Sequence, residues 1–265
     1  MCSVTDTMVI VPCRSTSTRR TCLNMKRKRA AQPAVVPSNN VYNIDQRLQE
    51  KRKRVQIYPK NLSQETYLLK LNDPQKHIIF AIGPAGTGKT MLAVQWAIDQ
   101  LKYGKADKIV ITRPAVSVDE QHGFLPGSLQ EKMEPWTKPI FDVIAENYSA
   151  REIARMVEEG VIETSPLAYM RGRTFKDAVI VADEMQNATP SQMKMLLTRL
   201  GQGSKMVVTG DLQQADRPSS NGLLEFLGLY NDFKDQQYVD TCHFTVGDVE
   251  RHEAVKEILA IYGDS

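Results

Sequence analysis

Residues 83–90 read Gly83-Pro84-Ala85-Gly86-Thr87-Gly88-Lys89-Thr90, and this octet leaves few folds open. It fits G-x-x-x-x-G-K-[ST], the sequence of a loop whose backbone amides cradle phosphate. Such a loop works between a strand and a helix. Ile78–Ile82, before it, is a short β-prone apolar run, and Met91–Ile98, after it, is helix-compatible and too apolar for a surface. Glycines let the chain curl so that successive N–H groups converge on one anion. The following helix presents its free N-terminal amides and positive dipole end to the same anion. Lys89 would reach the β- and γ-phosphates of a nucleotide, and the Thr90 hydroxyl would join a Mg²⁺ ion. The alternative is a glycine-rich turn that matches by accident, and the flanking strand and helix argue against it.

A second element answers the first. Ala178–Ala182 is an apolar strand that ends in Asp183-Glu184. Asp183 would hold Mg²⁺ and Glu184 would take a proton from an attacking water as general base. The alternative is a polar pair at a strand end. Ile109–Thr112 and Val161–Thr164 read as further strands, and Lys205–Thr209 as a fifth. That last strand delivers Gly210-Asp211-Leu212-Gln213-Gln214 to its carboxyl end, the edge at which parallel sheets bind ligands. Thr209, Asp211 and Gln214 thereby become candidates to sense the γ-phosphate or hold the water. Val239–Phe244 is a candidate sixth strand. Strand, loop, helix and strand in succession predict an α/β fold with a mostly parallel sheet and helices on both faces.

Helix boundaries come from caps. Asn61 or Ser63 would cap a helix over Glu65–Leu71; Gln64 stands just before it, and its amide offers the donor and acceptor of an adenine edge, the alternative being an ordinary first-turn glutamine. Ser149 with Glu152 and Thr189 with Gln192 form capping boxes, the second with Pro190 at the first helical position. Met193, Leu196, Leu197 and Leu200 recur at helical spacing and read as core. Asn221–Leu229 is a further helix. Asp248 is expected to cap a last helix with Val255, Ile258, Leu259 and Tyr262 on one face, which places Arg251 in its first turn. A cation there opposes the helix dipole unless an anion lies near. Residues 115–137 read as a long loop, carrying His122, Lys132 and Trp136 just beyond Arg113. Loops of that length inside a compact body are usually functional, and a nucleic-acid or partner surface is expected there. Arg171 and Arg173 flank Gly172, set to meet phosphate or to be solvated loop charges.

Charge divides the chain. Residues 1–60 hold 13 Lys/Arg against 3 Asp/Glu, whereas residues 61–265 hold 21 against 28. Residues 1–40 read as a disordered tail and 41–60 as a basic arm with clusters at Lys26–Arg29 and Lys51–Arg54. The arm suits either a sequence-independent grip on nucleic-acid phosphates or a solvated tail. Met25 directly precedes the first cluster, so translation is expected to start at Met1 or Met25. The domain proper is set at 61–265. No apolar run reaches the length of a membrane span. Cys2, Cys13, Cys22 and Cys242 form no C-x-x-C pair, which argues against structural zinc and a disulfide framework and for a reducing cytoplasm.

Taken in order, Gly83–Thr90, Thr112-Arg113-Pro114-Ala115, Gly123-Phe124-Leu125-Pro126-Gly127, Pro166–Thr174, Asp183-Glu184-Met185-Gln186-Asn187 and Thr209-Gly210-Asp211 resemble the PhoH family over about residues 61–262. That resemblance implies a RecA-like P-loop ATPase, a single domain related to superfamily 1 helicase motors, binding ATP and Mg²⁺. It also implies an adenine-reading role for Gln64, a G-D-x-x-Q motif at Gly210, Asp211 and Gln214, and a D-V-x-R-H segment at Asp248–His252. Arg251 is then the first candidate for an arginine finger, acting within the chain or on a neighbouring subunit. Residues after Gln214 and around 228–240 depart from the family pattern, which puts the roles of Asp216 and Arg217 in doubt. The expected activity is ATP hydrolysis coupled to RNA or single-stranded DNA, in a homo-oligomer that is potentially a ring. The competing expectation is a nucleotide-gated binding protein with negligible turnover.

Overall fold

The computed structural model describes residues 55–114, 129–216 and 221–262. The tail, both basic clusters and the Gly123–Gly127 motif lie outside the described residues. Packing begins at Val55, which is buried, with Ile57 against the same core.

Six strands form one sheet: β1 (Ile78–Ile82), β2 (Lys108–Arg113), β3 (Ile162–Pro166), β4 (Ala178–Ala182), β5 (Lys205–Gly210) and β6 (Val239–His243). Their spatial order is β3-β2-β4-β5-β1-β6, and every neighbouring pair is parallel. Successive strand residues face opposite sides. Ile79, Ala81, Ile109, Ile111, Val179, Val181 and Val207 therefore pack on one side, and Phe80, Ile82, Val110, Ile180, Met206 and Val208 on the other. A sheet apolar on both faces must be covered on both. Helices α1 (Leu62–Asn72), α2 (Lys89–Lys102) and α3 (Leu129–Ala145) cover the first face, joined by the partly buried α4 (Ala150–Glu158). Helices α5 (Pro190–Leu197) and α6 (Gly222–Asp232) cover the second, where Phe226 stacks on Phe80 at 4.6 Å. This is the RecA-like P-loop architecture. Among the described residues no helix is long and apolar enough to cross a membrane.

The caps work as the sequence predicts. Ser149 and Thr189 both close capping boxes, and Gly160 follows α4 with φ +71°. Asn61, not Ser63, caps α1, its side chain accepting from the Gln64 amide. At the other end of α1, Lys205 Nζ donates to the carbonyls of Leu71 and Asp73, each at 2.7 Å; burial pushes this ammonium down to about 8. Burial also pushes the Cys242 thiol up to about 11, which makes it an inert core residue.

Three expectations need correction. The stretch 115–137 is not all loop, because α3 starts at Leu129 and passes through Pro135 and Pro139. Proline in a helix interior costs about 3 kcal/mol or more. Thr137, Ile140 and Ile144 are buried on one side of α3, and burying each isoleucine contributes about 1.5–3 kcal/mol, enough to offset much of that cost. The last helix, α7 (Glu253–Tyr262), begins five residues after Asp248. Asp248 instead closes a short 3₁₀ turn, accepting from the Thr245 amide at 2.7 Å and the Thr245 hydroxyl at 3.0 Å. Arg251 thus precedes the helix and does not oppose its dipole, while Val255 and Ile258 are exposed.

Arg173 is also no phosphate ligand in this arrangement. Both its terminal nitrogens donate to the Glu163 carboxylate on edge strand β3, and its guanidinium lies over Phe175, whereas Arg171 is exposed. The Arg173 hydrogen bonds hold the Glu163 carboxyl below its usual range despite its burial. A carboxyl lowered by folding stabilises above its unfolded value and loses that contribution as pH falls through the folded one. Arg173→Met should lower the unfolding free energy by about 1 kcal/mol at neutral pH, discounted for the partly exposed pair. The difference should shrink as pH falls from the ordinary carboxylate range through the lowered Glu163 value, as read by urea unfolding of both proteins near pH 7 and near pH 3.

Candidate functional site

Because all six strands are parallel, their carboxyl ends share one edge. There β1 runs into the phosphate loop, β2 into Arg113, β4 into Asp183-Glu184 and β5 into Gly210-Asp211. With β5 lying between β4 and β1, the loop and the acidic pair stand two strand positions apart and face one cleft. That cleft, about 260 Å³, is lined by Ala85, Lys89, Thr90, Asp183, Glu184 and Asp211 among others.

Local backbone rules set the loop. A Cβ on Gly83 would lie 2.3 Å from the Phe244 carbonyl oxygen, and φ at Gly83 is +148°. Gly86, at φ +85°, packs beneath Arg251: a Cβ there would meet Arg251 Nε at 2.4 Å. Gly88 precedes α2 and has no side chain to claim the first helical amides, which leaves them directed at an incoming anion. Lys89 Nζ reaches back into the loop, donating to the carbonyls of Gly83 at 2.7 Å and Pro84 at 2.6 Å and to Thr87 Oγ1 at 3.3 Å. Burial pushes the Lys89 ammonium below its ordinary value, opposed by the charges of Asp211, Glu184 and Asp183.

Opposite the loop, Thr90 Oγ1 donates to Asp183 Oδ1 at 2.7 Å, and Thr209 Oγ1 donates to the same oxygen at 2.6 Å. A hydroxyl and a carboxylate oxygen meeting beside a phosphate cradle fit a Mg²⁺ ion, which takes one or two carboxylates and fills its octahedron with water and phosphate oxygens. Asp183 and Thr90 are the residues that would hold it. The charge of the cleft agrees: Lys89 faces three carboxylates, and a triphosphate would be repelled without a divalent cation.

Glu184 leaves β4 in the left-handed region, at φ 54° and ψ 40°. Side chains rarely adopt this conformation, and it turns Glu184 toward the cleft. Gln186 Nε2 donates to Glu184 Oε2, and Arg113 Nη2 stands 3.9 Å from Oε1. Asp211 accepts from the Ala85 amide at 3.1 Å and from the Gln213 amide at 3.0 Å.

The outlying candidates take distinct places. Gln64 is buried and uses its amide within the chain, donating to the Thr87 carbonyl at 3.1 Å and accepting from the Lys60 amide at 2.8 Å. It braces the phosphate loop from behind through one of its two amide hydrogens. Gln214 is exposed at the cleft wall. Arg251 lies against the loop of its own chain. Its segment is tied there by the Glu250 amide, which donates to the Gly86 carbonyl at 3.0 Å, and by Asn61 Nδ2, which donates to the Asp248 carbonyl at 3.3 Å.

The family model described as PhoH-like protein matches residues 56–263. The chain belongs to the PhoH family. A PhoH-like protein of Bacillus subtilis is 46% identical over 209 residues, covering 78% of this chain and 64% of its own. One from Synechocystis is 47% identical over 191 residues, covering 71% and 57%. Protein PhoH of Escherichia coli is 38% identical over 210 residues, covering 78% and 58%. This PhoH-family chain thus spans roughly six-tenths of the length of those relatives. Among solved structures it is similar to the Pif1 helicase from Candida albicans, at TM-score 0.35 and 15% identity, over 77% of this chain and 44% of that one.

Sequence reasoning named Lys89, Thr90, Asp183 and Glu184, and the structure brings all four to one cleft. It quoted Gln186 within a motif and Arg113 as a surface charge. Arg113 meets Glu184 only because β2 lies beside β4, which no local pattern signals, whereas Gln186 reaches it within one turn.

Proposed function

We propose that this PhoH-family chain binds and hydrolyses ATP with Mg²⁺ and couples turnover to RNA or single-stranded DNA. One observation carries the reading: a lysine-filled glycine loop faces, across a single cleft, a hydroxyl–carboxylate pair and a second carboxylate turned inward by its backbone. Incoming phosphates would take the Lys89 donors now given to the Gly83 and Pro84 carbonyls. The ion would neutralise charge between the β- and γ-phosphates. Glu184 would accept a proton from the water that attacks the γ-phosphorus; a new P–O bond forms, the bond to the β–γ bridging oxygen breaks, and ADP leaves. Arg251 packs on Gly86, and we read it as the arginine that would meet charge building up at the phosphates.

The polynucleotide part rests on the basic residues 1–60, whose grip would be electrostatic and salt-dependent, and on Arg113 at the cleft rim. We read movement along a strand as the work of paired motor domains, which a homo-oligomer would supply. ATP hydrolysis by the purified full chain, with and without Mg²⁺ and single-stranded RNA, together with its mass by light scattering, tests the reading. Mg²⁺-dependent turnover that rises severalfold with RNA, in an oligomer, is expected. A monomer that binds ATP without turning it over would favour a nucleotide-gated binder instead.

A further inference from the structure

Gln186 is buried at 1% exposure, yet it is a full amide with two donors and an acceptor to satisfy. The structure assigns it a role that its place in the sequence does not reveal. Its Nε2 donates to Glu184 Oε2, and its Oε1 accepts from the Asp211 amide at 3.1 Å. Those two partners also fix which end of the amide is nitrogen. Asp211 in turn accepts from the Ala85 amide of the phosphate loop at 3.1 Å. One buried side chain therefore connects the carboxylate opposite the loop to the residue that holds the loop.

The scaffold around Gln186 is rigid for local reasons. It lies in the short 3₁₀ turn Met185–Asn187, pinned by fully buried Met185 and Ala188. The Gly222 amide, at the start of α6, donates to the Ala188 carbonyl at 2.7 Å. Gly210 leaves room for the amide, since a Cβ there would stand 3.1 Å from Gln186 Oε1 and 2.5 Å from Leu223 Cδ2. Glu184, by contrast, is half-buried in a strained backbone conformation, and a carboxylate side chain with no anchor would swing among rotamers.

We propose that Gln186 is a positioning residue: its amide aims the Glu184 carboxylate at the water attacking the γ-phosphate and couples that aim to Asp211 and the phosphate loop. The proposal rests on the ATPase reading above. It differs from a packing role, because an amide that merely filled space would be replaceable by methionine.

Two variants test the contacts. Gln186→Met keeps the volume and removes both hydrogen bonds. Gln186→Asn shortens the amide by one methylene, so that it cannot span Glu184 and the Asp211 amide together, and adds no charge beside Glu184; it still reads the proposal should Gln186→Met fold poorly. Steady-state hydrolysis, ATP affinity from a fluorescent nucleotide analogue, and melting temperature are measured on the full chain. Each variant should lose about 10–100-fold in kcat, the usual effect of removing an orienting partner, with KM and nucleotide affinity within about threefold and a cooperative melting transition kept by Gln186→Asn. In a Glu184→Gln background, Gln186→Met should add little further loss in single-turnover rate, because the group it aims is already gone. Undiminished kcat in Gln186→Met or Gln186→Asn, or losses that multiply in the double variant, would overturn the proposal while leaving the ATPase reading intact. A wild-type protein without turnover would overturn both.

Discussion

Replacing Glu184 with glutamine should cut the rate of ATP hydrolysis by about 10²–10⁴-fold, the range that a positioned general base supplies. The change is nearly isosteric, so the strained turn after β4 and the neighbouring Asp183 stay in place. Binding should therefore survive, because Lys89, the loop amides, Thr90 and Asp183 are untouched. Thermal melting separates the two effects. A ligand at about 100 times its Kd stabilises by about 2.7 kcal/mol, and about 1 kcal/mol moves the midpoint of a domain of this size by about 2–4 °C. Saturating MgATP should thus raise the melting temperature of wild type and Glu184→Gln alike by about 5–10 °C. Wild-type turnover by Glu184→Gln would remove Glu184 from the mechanism.

Lys89→Ala should give the opposite pattern. It deletes the cationic donor of the cradle, and one charge-assisted hydrogen bond to a ligand is worth about 1.5–3 kcal/mol, or about 10–150-fold in affinity. The melting shift with MgATP should shrink accordingly, and hydrolysis should fall with it. Melting of the nucleotide-free variant should change little. The ammonium is largely buried and pushed below its ordinary value by that burial, so folding gains little from its charge, and its bonds to the Gly83 and Pro84 carbonyls are what binding must break. An unchanged melting shift with MgATP in Lys89→Ala would show that the nucleotide lies elsewhere.

Much of the molecule was legible before any coordinate. Ile78–Ile82 and Ala178–Ala182 are strands as read, and Lys205–Thr209 is a strand that runs one residue further, because apolar runs bounded by glycine, proline or charge have few other uses. The boxes at Ser149 and Thr189 mark helix starts correctly because a cap and its partner lie three residues apart. Two boundaries failed for instructive reasons. Pro135 and Pro139 disguised the start of α3, where tertiary burial of Ile140 and Ile144 outweighs local preference. Asp248 looked like a helix cap, but its carboxylate is taken by Thr245.

The sequence by itself determined the chemistry on offer: a glycine loop with a lysine, a threonine behind it, and two carboxylates at the end of an apolar strand. Each is encoded within a handful of consecutive residues, where spacing dictates geometry. Only the tertiary structure decided which groups these residues meet. Gln186 and Arg113 converge on Glu184, Asp211 reaches the Ala85 amide, Gln64 braces Thr87, Arg251 covers Gly86, and Arg173 turns away to Glu163. Most of those pairs are far apart in the chain and are joined because β5 is inserted between β4 and β1 and the β6–α7 segment folds back over the loop. Strand order is settled by the packing of whole faces, a cooperative outcome that no local pattern of residues carries.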